Sequence, residues 1–325
     1  MFILGLIGSG QLGSRHLQAI ANIDLPIEID VVDPSCESLK IAKVRFEELP
    51  KNPNVKRISF FNSINDLHSE IDLCIVATNS DVRAIVTEEL LLKKKVKYLI
   101  LEKILFQTEN EYETIGNLIE RYNVKTWVNC PRRMLSVYRQ IRANLTNSHL
   151  YEINISGSSL DLASGSIHMI DLMAYLTGID EYNINGDLLD PDVLESKRIG
   201  FLEVTGSLKG SFKDGPNFSI SSFKDGKVPS IIQLISQKAI YFISEDSGMG
   251  WISSEDKKWA WQAFSFKIPY QSQLTHLIIK QIIDAGESDL PSFEESVKLH
   301  LPLLNCFISF LRREGNVVGD RCPIT

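Results

Sequence analysis

The sequence lacks any apolar run that reaches about 18 consecutive residues, so no segment is expected to span a membrane. Residues 1–7 are apolar, but no basic region precedes them. Gly5, Gly8, Gly10 and Gly13 break up the N-terminal stretch, and an export signal is not expected either. Cysteine is scarce: Cys36, Cys74, Cys130, Cys306 and Cys322 are odd in number, scattered, and free of any CxxC or Cys/His spacing. That pattern argues against a disulfide framework and against a metal site, and fits reduced thiols in the cytoplasm. Basic clusters are missing too. The 34 Lys and Arg stand against 41 Asp and Glu, for a formal charge of −7, and Lys93-Lys94-Lys95 is the longest basic run. No nucleic-acid partner is expected from that balance. With 44% hydrophobic and 23% charged residues, neither repeats nor low-complexity tracts, and 325 residues, the chain reads as about two ordinary globular domains.

What is present is an alternation of strands and helices. Short apolar runs at 2–7, 27–32, 55–60, 73–77, 98–101 and 126–129 read as six strands. Helical patterns at 13–21, 37–45, 81–92 and 109–122, with a helical turn at 64–68, lie between them. The strands are apolar almost throughout, so both faces are covered, as in a parallel sheet sandwiched between helices. Residues 1–130 are therefore predicted to form a doubly wound α/β Rossmann domain. After Pro131 the rhythm changes: a helix at 134–145, a strand at 150–157, a helix at 167–176, alternating strands between 200 and 266, and helices at 271–285 and 292–311. Turns at Lys213-Asp214-Gly215-Pro216 and Lys224-Asp225-Gly226 link consecutive strands. Residues 131–325 are accordingly predicted to be an α+β domain built on a large, mostly antiparallel open sheet.

Gly8-Ser9-Gly10-Gln11-Leu12-Gly13 follows the first strand and opens the first helix. Gly8 suits the tight turn, Gly10 lets backbone approach a pyrophosphate, and Gly13 permits close helix–sheet packing. The helix N-terminus offers N–H donors to the anion. Asp33 ends the second strand, twenty residues beyond Gly13, where a carboxylate accepts hydrogen bonds from ribose hydroxyls. It would repel a 2′-phosphate, and Pro34 to Glu37 supply no Arg, so NAD is favoured over NADP. Thr78 and Asn79 end the fourth strand and are candidates to line the same crevice, with a helix cap as the competing role for Asn79. Glu102 and Lys103 end the fifth strand and complete the expected cofactor set. The Lys103 ammonium is suited to hold a substrate hydroxyl and stabilise charge developing on it. A solvated ion pair is the competing reading. Finally, His168 and Asp171 lie three apart on a helix, hence on one face, where a carboxylate makes an imidazole more basic. Such a His can take a hydroxyl proton as hydride leaves the same carbon. A purely structural His and Asp amid Ile167, Met169, Ile170 and Leu172 is the alternative.

In this order and at these intervals, the glycine turn with His16, Asp33, Ala77-Thr78-Asn79, Glu102-Lys103 and His168-x-x-Asp171 resemble the Gfo/Idh/MocA family of oxidoreductases. The resemblance covers nearly the whole chain. It implies hydride transfer to or from a carbinol carbon of a sugar or nucleotide sugar, with Lys103 and His168 catalytic. It also implies a homodimer or homotetramer formed through the second domain's open sheet. Arg132, Arg133 and Tyr138 are candidate grips for a polar or acidic substrate. Residues 166–178 and the Pro323-Ile324-Thr325 ending look like members from bacterial surface-polysaccharide and nonulosonic-acid sugar pathways. Two departures stand out: Ile104 replaces the family's Pro after the Lys, and Ser164 occupies the place of an Asp four residues before the His. Either Asp171 or Asp161 then assists His168, or His168 works with Lys103 alone, or the chemistry differs; the second option is favoured. Two further readings stay open, an NAD-using lyase, epimerase or glycosidase with transient sugar oxidation, and a non-catalytic NAD sensor.

Overall fold

The computed structural model describes residues 1–146, 148–158 and 160–325, which fall into two compact units. The first contains Met1–Pro131 and Pro269–Glu294, the second Arg132–Ile268 and Glu295–Thr325.

In the first unit, β1 (Phe2–Ile7), β2 (Ile27–Val32), β3 (Val55–Phe61), β4 (Glu70–Val76), β5 (Lys95–Leu101) and β6 (Lys125–Val128) alternate with helices. The helices are α1 (Gln11–Ile20), α2 (Cys36–Glu47), α3 (Ser80–Lys93) and α4 (Glu109–Arg121). All strand pairings are parallel, in the order β3-β2-β1-β4-β5-β6. The consecutive pairs Leu6-Ile7, Val31-Val32, Ile75-Val76 and Leu99-Ile100 are buried, so the central strands carry apolar side chains on both faces, as their sequence requires. The order reverses at β1, which pairs with β2 on one side and β4 on the other. A ligand crevice opens at the carboxyl ends of strands at such a point.

In the second unit, α5 (Ser136–Leu145), β7 (Leu150–Gly157) and α6 (Leu162–Thr177) precede a series of strands. These are β8 (Tyr182–Leu189), β9 (Leu194–Glu195), β10 (Leu202–Glu203), β11 (Gly206–Phe212), β12 (Asn217–Ser222), β13 (Ile231–Ser236), β14 (Ala239–Ser244), β15 (Met249–Ser254) and β16 (Trp261–Ser265). Eight of the strands β7 to β16 form a sheet in the order β16-β15-β14-β13-β7-β12-β11-β8, antiparallel except where β12 runs parallel to β7. A separate ribbon pairs β9 with β10, and β10 packs on α6. Alternation of burial along β7, β12, β13 and β14 turns Ile153, Ile155, Ile220, Leu234 and Ile243 to the core.

The remaining helices are α7 (Thr275–Ala285) and α8 (Phe293–Arg313). Here the structure departs from a boundary that keeps 131–325 together. α7 packs on α1 and buries Ile278, Ile279 and Ile282, and Val128 donates its N–H to Pro291 O, so residues 269–294 return to the first unit. β8 is also absent from the sequence reading, because Asn183, Asn185, Gly186 and Asp187 look like a turn-rich loop. α6 begins at Leu162, five residues before the expected start, through a Ser164-Gly165-Ser166 segment that reads as loop. Among the described residues no helix is long and apolar enough to cross a membrane.

Candidate active site

The glycine turn is built from backbone constraints. Gly8 has φ +88°, and its N–H donates to Val32 O at 2.8 Å. A Cβ on Gly13 would lie 1.8 Å from Gly8 O, so only glycine lets α1 start so close to the turn. A Cβ on Gly10 would meet nothing within 4 Å, which leaves room for a ligand. Gly10 is the N-cap of α1 and supplies no side-chain bond, so the N–H groups of the first turn around Gln11, Leu12 and Gly13 face a ligand site without a cap. Asp33 closes the turn from β2: its Oδ2 accepts from Ser9 N at 2.7 Å and Ser9 Oγ at 3.2 Å, and its Oδ1 from Ser35 N at 2.9 Å. Across the crevice, the Thr78 hydroxyl is buried and makes no hydrogen bond among the described residues. Asn79 is exposed and sits at the N-cap of α3 without a side-chain cap bond, so its amide is not used for capping. A cradle that a Cβ would fill, an uncapped helix start, a fixed carboxylate and an orphaned hydroxyl fit the pyrophosphate and ribose of a dinucleotide.

Beyond β5, Glu102 is held by internal hydrogen bonds. Its side chain is sealed from solvent: Oε1 lies 2.8 Å from His16 Nε2 and accepts from Asn129 Nδ2 at 2.5 Å. His16 Nδ1 lies 2.8 Å from Thr275 Oγ1, and Gln271 joins Thr275 and Asn129 at 3.0 and 3.2 Å. Burial by itself raises the Glu102 pKa. The hydrogen bond and charge of His16, the charge of Arg83 and the Asn129 amide outweigh it and hold the carboxyl below its usual range. Glu102 is thus anchored internally at the root of Lys103. Lys103 is half-buried, and the Lys103–Ile104 peptide bond is cis. The guanidinium of Arg83, buried on α3, donates to the carbonyls of Thr78 and Ile104 and to Leu105 O at 3.0 Å. It ties the loop after β4 to the loop after β5. Arg83 escapes a motif search, although Ser80, Arg83, Thr87 and Leu90 share the buried stripe of α3 and its spacing marks it.

In the second unit His168 is half-buried on α6. Its expected helper Asp171 is committed elsewhere: both carboxylate oxygens accept from Arg133 Nε at 2.9 Å, and Arg133 Nη2 also reaches Glu295 at 2.8 Å. Burial pushes the Asp171 carboxyl up to about 6 against the opposing charge of Arg133. Burial works to lower the Arg133 pKa, but Asp171 and Glu295 together hold the guanidinium more firmly protonated. Arg132 grips Glu245 through Nε at 3.1 Å and Nη2 at 2.8 Å, and the fully buried Tyr138 donates its hydroxyl to the same carboxylate at 2.6 Å. Arg132, Arg133 and Asp171 thus stand in ion pairs and Tyr138 in a hydrogen bond, and their carboxylate partners Glu245 and Glu295 are not marked by the sequence motifs. Asp161 caps α6 at φ +46° and pairs with Lys197 at 3.2 Å. Ser164 donates to Glu203 Oε2 at 3.2 Å.

Residues 2–130 match the family model described as an oxidoreductase family with an NAD-binding Rossmann fold, GFO_IDH_MocA. The N-terminal domain is thus similar to the Gfo/Idh/MocA oxidoreductase family. It is NAD-binding, and the glycine turn and Asp33 are the parts of this domain that fit the cofactor. Solved structures share the fold over both units. An oxidoreductase from Agrobacterium radiobacter in complex with NAD+, L-tartaric acid and magnesium is 14% identical with a TM-score of 0.74, covering 96% of this chain and 97% of its own. UDP-N-acetylglucosamine 3-dehydrogenase from Acidithiobacillus ferrooxidans is 15% identical with a TM-score of 0.71, covering 95% and 99%. The transcriptional regulator Gal80p from Kluyveromyces lactis is also 15% identical with a TM-score of 0.71, covering 96% and 93%. No curated protein matches the chain.

Proposed function

We propose that the protein is an NAD-dependent dehydrogenase or reductase acting on a carbinol carbon of a sugar or nucleotide sugar, in the cytoplasm and in surface-polysaccharide sugar metabolism. The observation that carries the reading is the nucleotide cradle, with Asp33 pinned by Ser9 and Ser35, at the same sheet end as Lys103. The pinned carboxylate supports NAD over NADP, because a 2′-phosphate would meet a fixed negative charge. The nicotinamide supplies a hydride acceptor or donor. In the oxidative direction the carbinol C–H leaves as hydride, its O–H proton goes to His168, and a C=O forms. The Lys103 ammonium stabilises the oxygen as its charge develops. Glu102 and Arg83 keep Lys103 and its loop in place from below.

The test is a screen of NAD-loaded protein against free and nucleotide-linked sugars, followed by NADH absorbance. At least one sugar is expected to turn over, with Lys103→Ala and His168→Ala each lowering kcat by about 10² or more while NAD binding stays within about threefold. Turnover with solvent deuterium in the product and no net NADH would replace oxidation with a lyase or epimerase cycle. The Gal80p likeness in fold supports a second reading, a nucleotide-binding sensor without turnover. Under that reading NAD binds, no sugar is oxidised, and the two alanine variants leave the biological function intact.

A further inference from the structure

Glu203 is a half-buried carboxylate in the second unit that neither cofactor chemistry nor an ion pair explains. It comes from β10, in the ribbon that packs on α6, and its described partners are all neutral donors. Oε1 accepts from Ala163 N at 2.5 Å and Val204 N at 3.1 Å, and Oε2 from the Ser164 hydroxyl at 3.2 Å. Ala163 lies in the first turn of α6, so the carboxylate also faces the positive end of that helix. Ser164 and His168 are four residues apart on α6 and share a face one turn apart.

We propose that Glu203, reaching α6 through Ser164, is the positioning residue that sets the protonation of His168. This rests on the reading of His168 as the acid–base group. Three observations support it. Burial keeps the Glu203 carboxyl above its usual range, with Asp161 adding to the effect and the Ala163 and Val204 N–H groups opposing it. No cation is paired with it among the described residues, so its field is not cancelled locally. Asp171, the carboxylate three residues along α6 from His168, is paired with Arg133. Asp161, the residue before α6, is paired with the exposed Lys197 at 3.2 Å.

The experiment is a histidine-selective NMR titration of the full-length NAD-loaded protein, with the His168 signal assigned by its loss in His168→Gln. Glu203→Gln preserves the side-chain acceptor for Ala163 and Val204 while removing the charge. It should lower the His168 pKa by about half a unit or more. Ser164→Asp added to Glu203→Gln restores a carboxylate on the same face and should return most of that shift. Where a substrate turns over, the acid limb of kcat/KM should move to lower pH in Glu203→Gln, because a less basic imidazole is deprotonated sooner. In that case kcat should fall about tenfold with KM changed less than about threefold. An unchanged His168 titration in Glu203→Gln overturns the proposal. If Glu203→Gln does not fold, Ser164→Ala is read instead, and an unmoved titration there overturns it equally. The titration needs no substrate, so absence of sugar oxidation rejects the proposed reaction without deciding the role of Glu203.

Discussion

Arg133 holds two carboxylates at once, and its side chain is only 7% exposed, so the Arg133–Asp171–Glu295 cluster belongs to the folding energetics of the second unit. Removing one member of a buried pair strands the other, at a cost of about 3–5 kcal/mol. Arg133→Leu should therefore destabilise the protein by about that amount at pH 8. The loss depends on pH in a defined direction. A carboxyl whose folded pKa lies above its unfolded value takes up a proton on folding, and its contribution weakens as pH rises from the unfolded value through the folded one. Asp171 already sits near 6, and without Arg133 it rises further. Urea unfolding at pH 5 and pH 8 should show a clearly smaller deficit at pH 5; equal deficits would mean that Asp171 is not charged in the native state. Glu102 carries the opposite sign. Its folded pKa is lowered, so its stabilisation is present above the ordinary carboxylate pKa and disappears as pH falls through the folded value. Glu102→Ala leaves the polar side chains of His16 and Asn129 without their shared acceptor, and should cost about 2–3 kcal/mol at pH 7, shrinking below pH 4.

At the scale of elements, the turn between β1 and α1 separates fold from binding through two neighbouring glycines. Gly13→Ala drives a Cβ against the Gly8 carbonyl, a backbone atom that cannot rotate away, so both thermal stability and NAD affinity should fall. Gly10→Ala meets no protein atom and should leave the melting temperature unchanged or slightly raised. Its methyl group occupies the space a pyrophosphate needs, so NADH fluorescence titration should show affinity lost by about tenfold or more. If Gly10→Ala binds NADH normally, the phosphates do not approach there. This turn was legible in the sequence because glycine spacing, strand, helix and acid all sit within one short segment. The parallel sheet was legible for a similar reason: strands covered on both faces leave continuous apolar runs such as Leu73 to Val76. The start of α6 and the edge strand β8 were not, since Ser164-Gly165 and Asn183 to Asp187 have the local chemistry of loops, and tertiary packing overrides it. The partners of Glu102, Asp171 and Arg132 were hidden because ion pairs between distant segments leave no periodic trace. His16 was visible only as a histidine on the first helix; its bridge from Glu102 to Thr275 depends on a helix more than 250 residues away.

At the scale of the molecule, the large sheet of the second unit raises the question of what its outer face does. Its core side is filled by rows such as Ile153, Ile220 and Leu234, while the alternate positions turn outward. On the β14–β16 side these include Phe242, cross-strand from Trp251, and Trp261, whose ring lies 5.5 Å from that of Phe242. Trp251 is 38% exposed and Trp261 53%, and together with Ile240 they make an apolar row on an open sheet. Towards β7, β11 and β12 the same sheet turns polar, with Asn154, Lys209 and Ser219. The exposed aromatic row thus lies at one edge of the sheet beside a polar remainder, and exposed aromatic rows contribute most of the energy where two copies meet. We propose that the protein assembles as a homodimer or homotetramer through this sheet. Trp251→Lys together with Trp261→Lys places like charges across the two-fold and should shift the mass seen by light scattering to that of a 36.7 kDa monomer, with the thermal transition of the first unit unmoved. A double variant that keeps the wild-type mass would exclude the aromatic row from the interface, and a wild-type protein that is already monomeric would leave the sheet without the partner proposed for it.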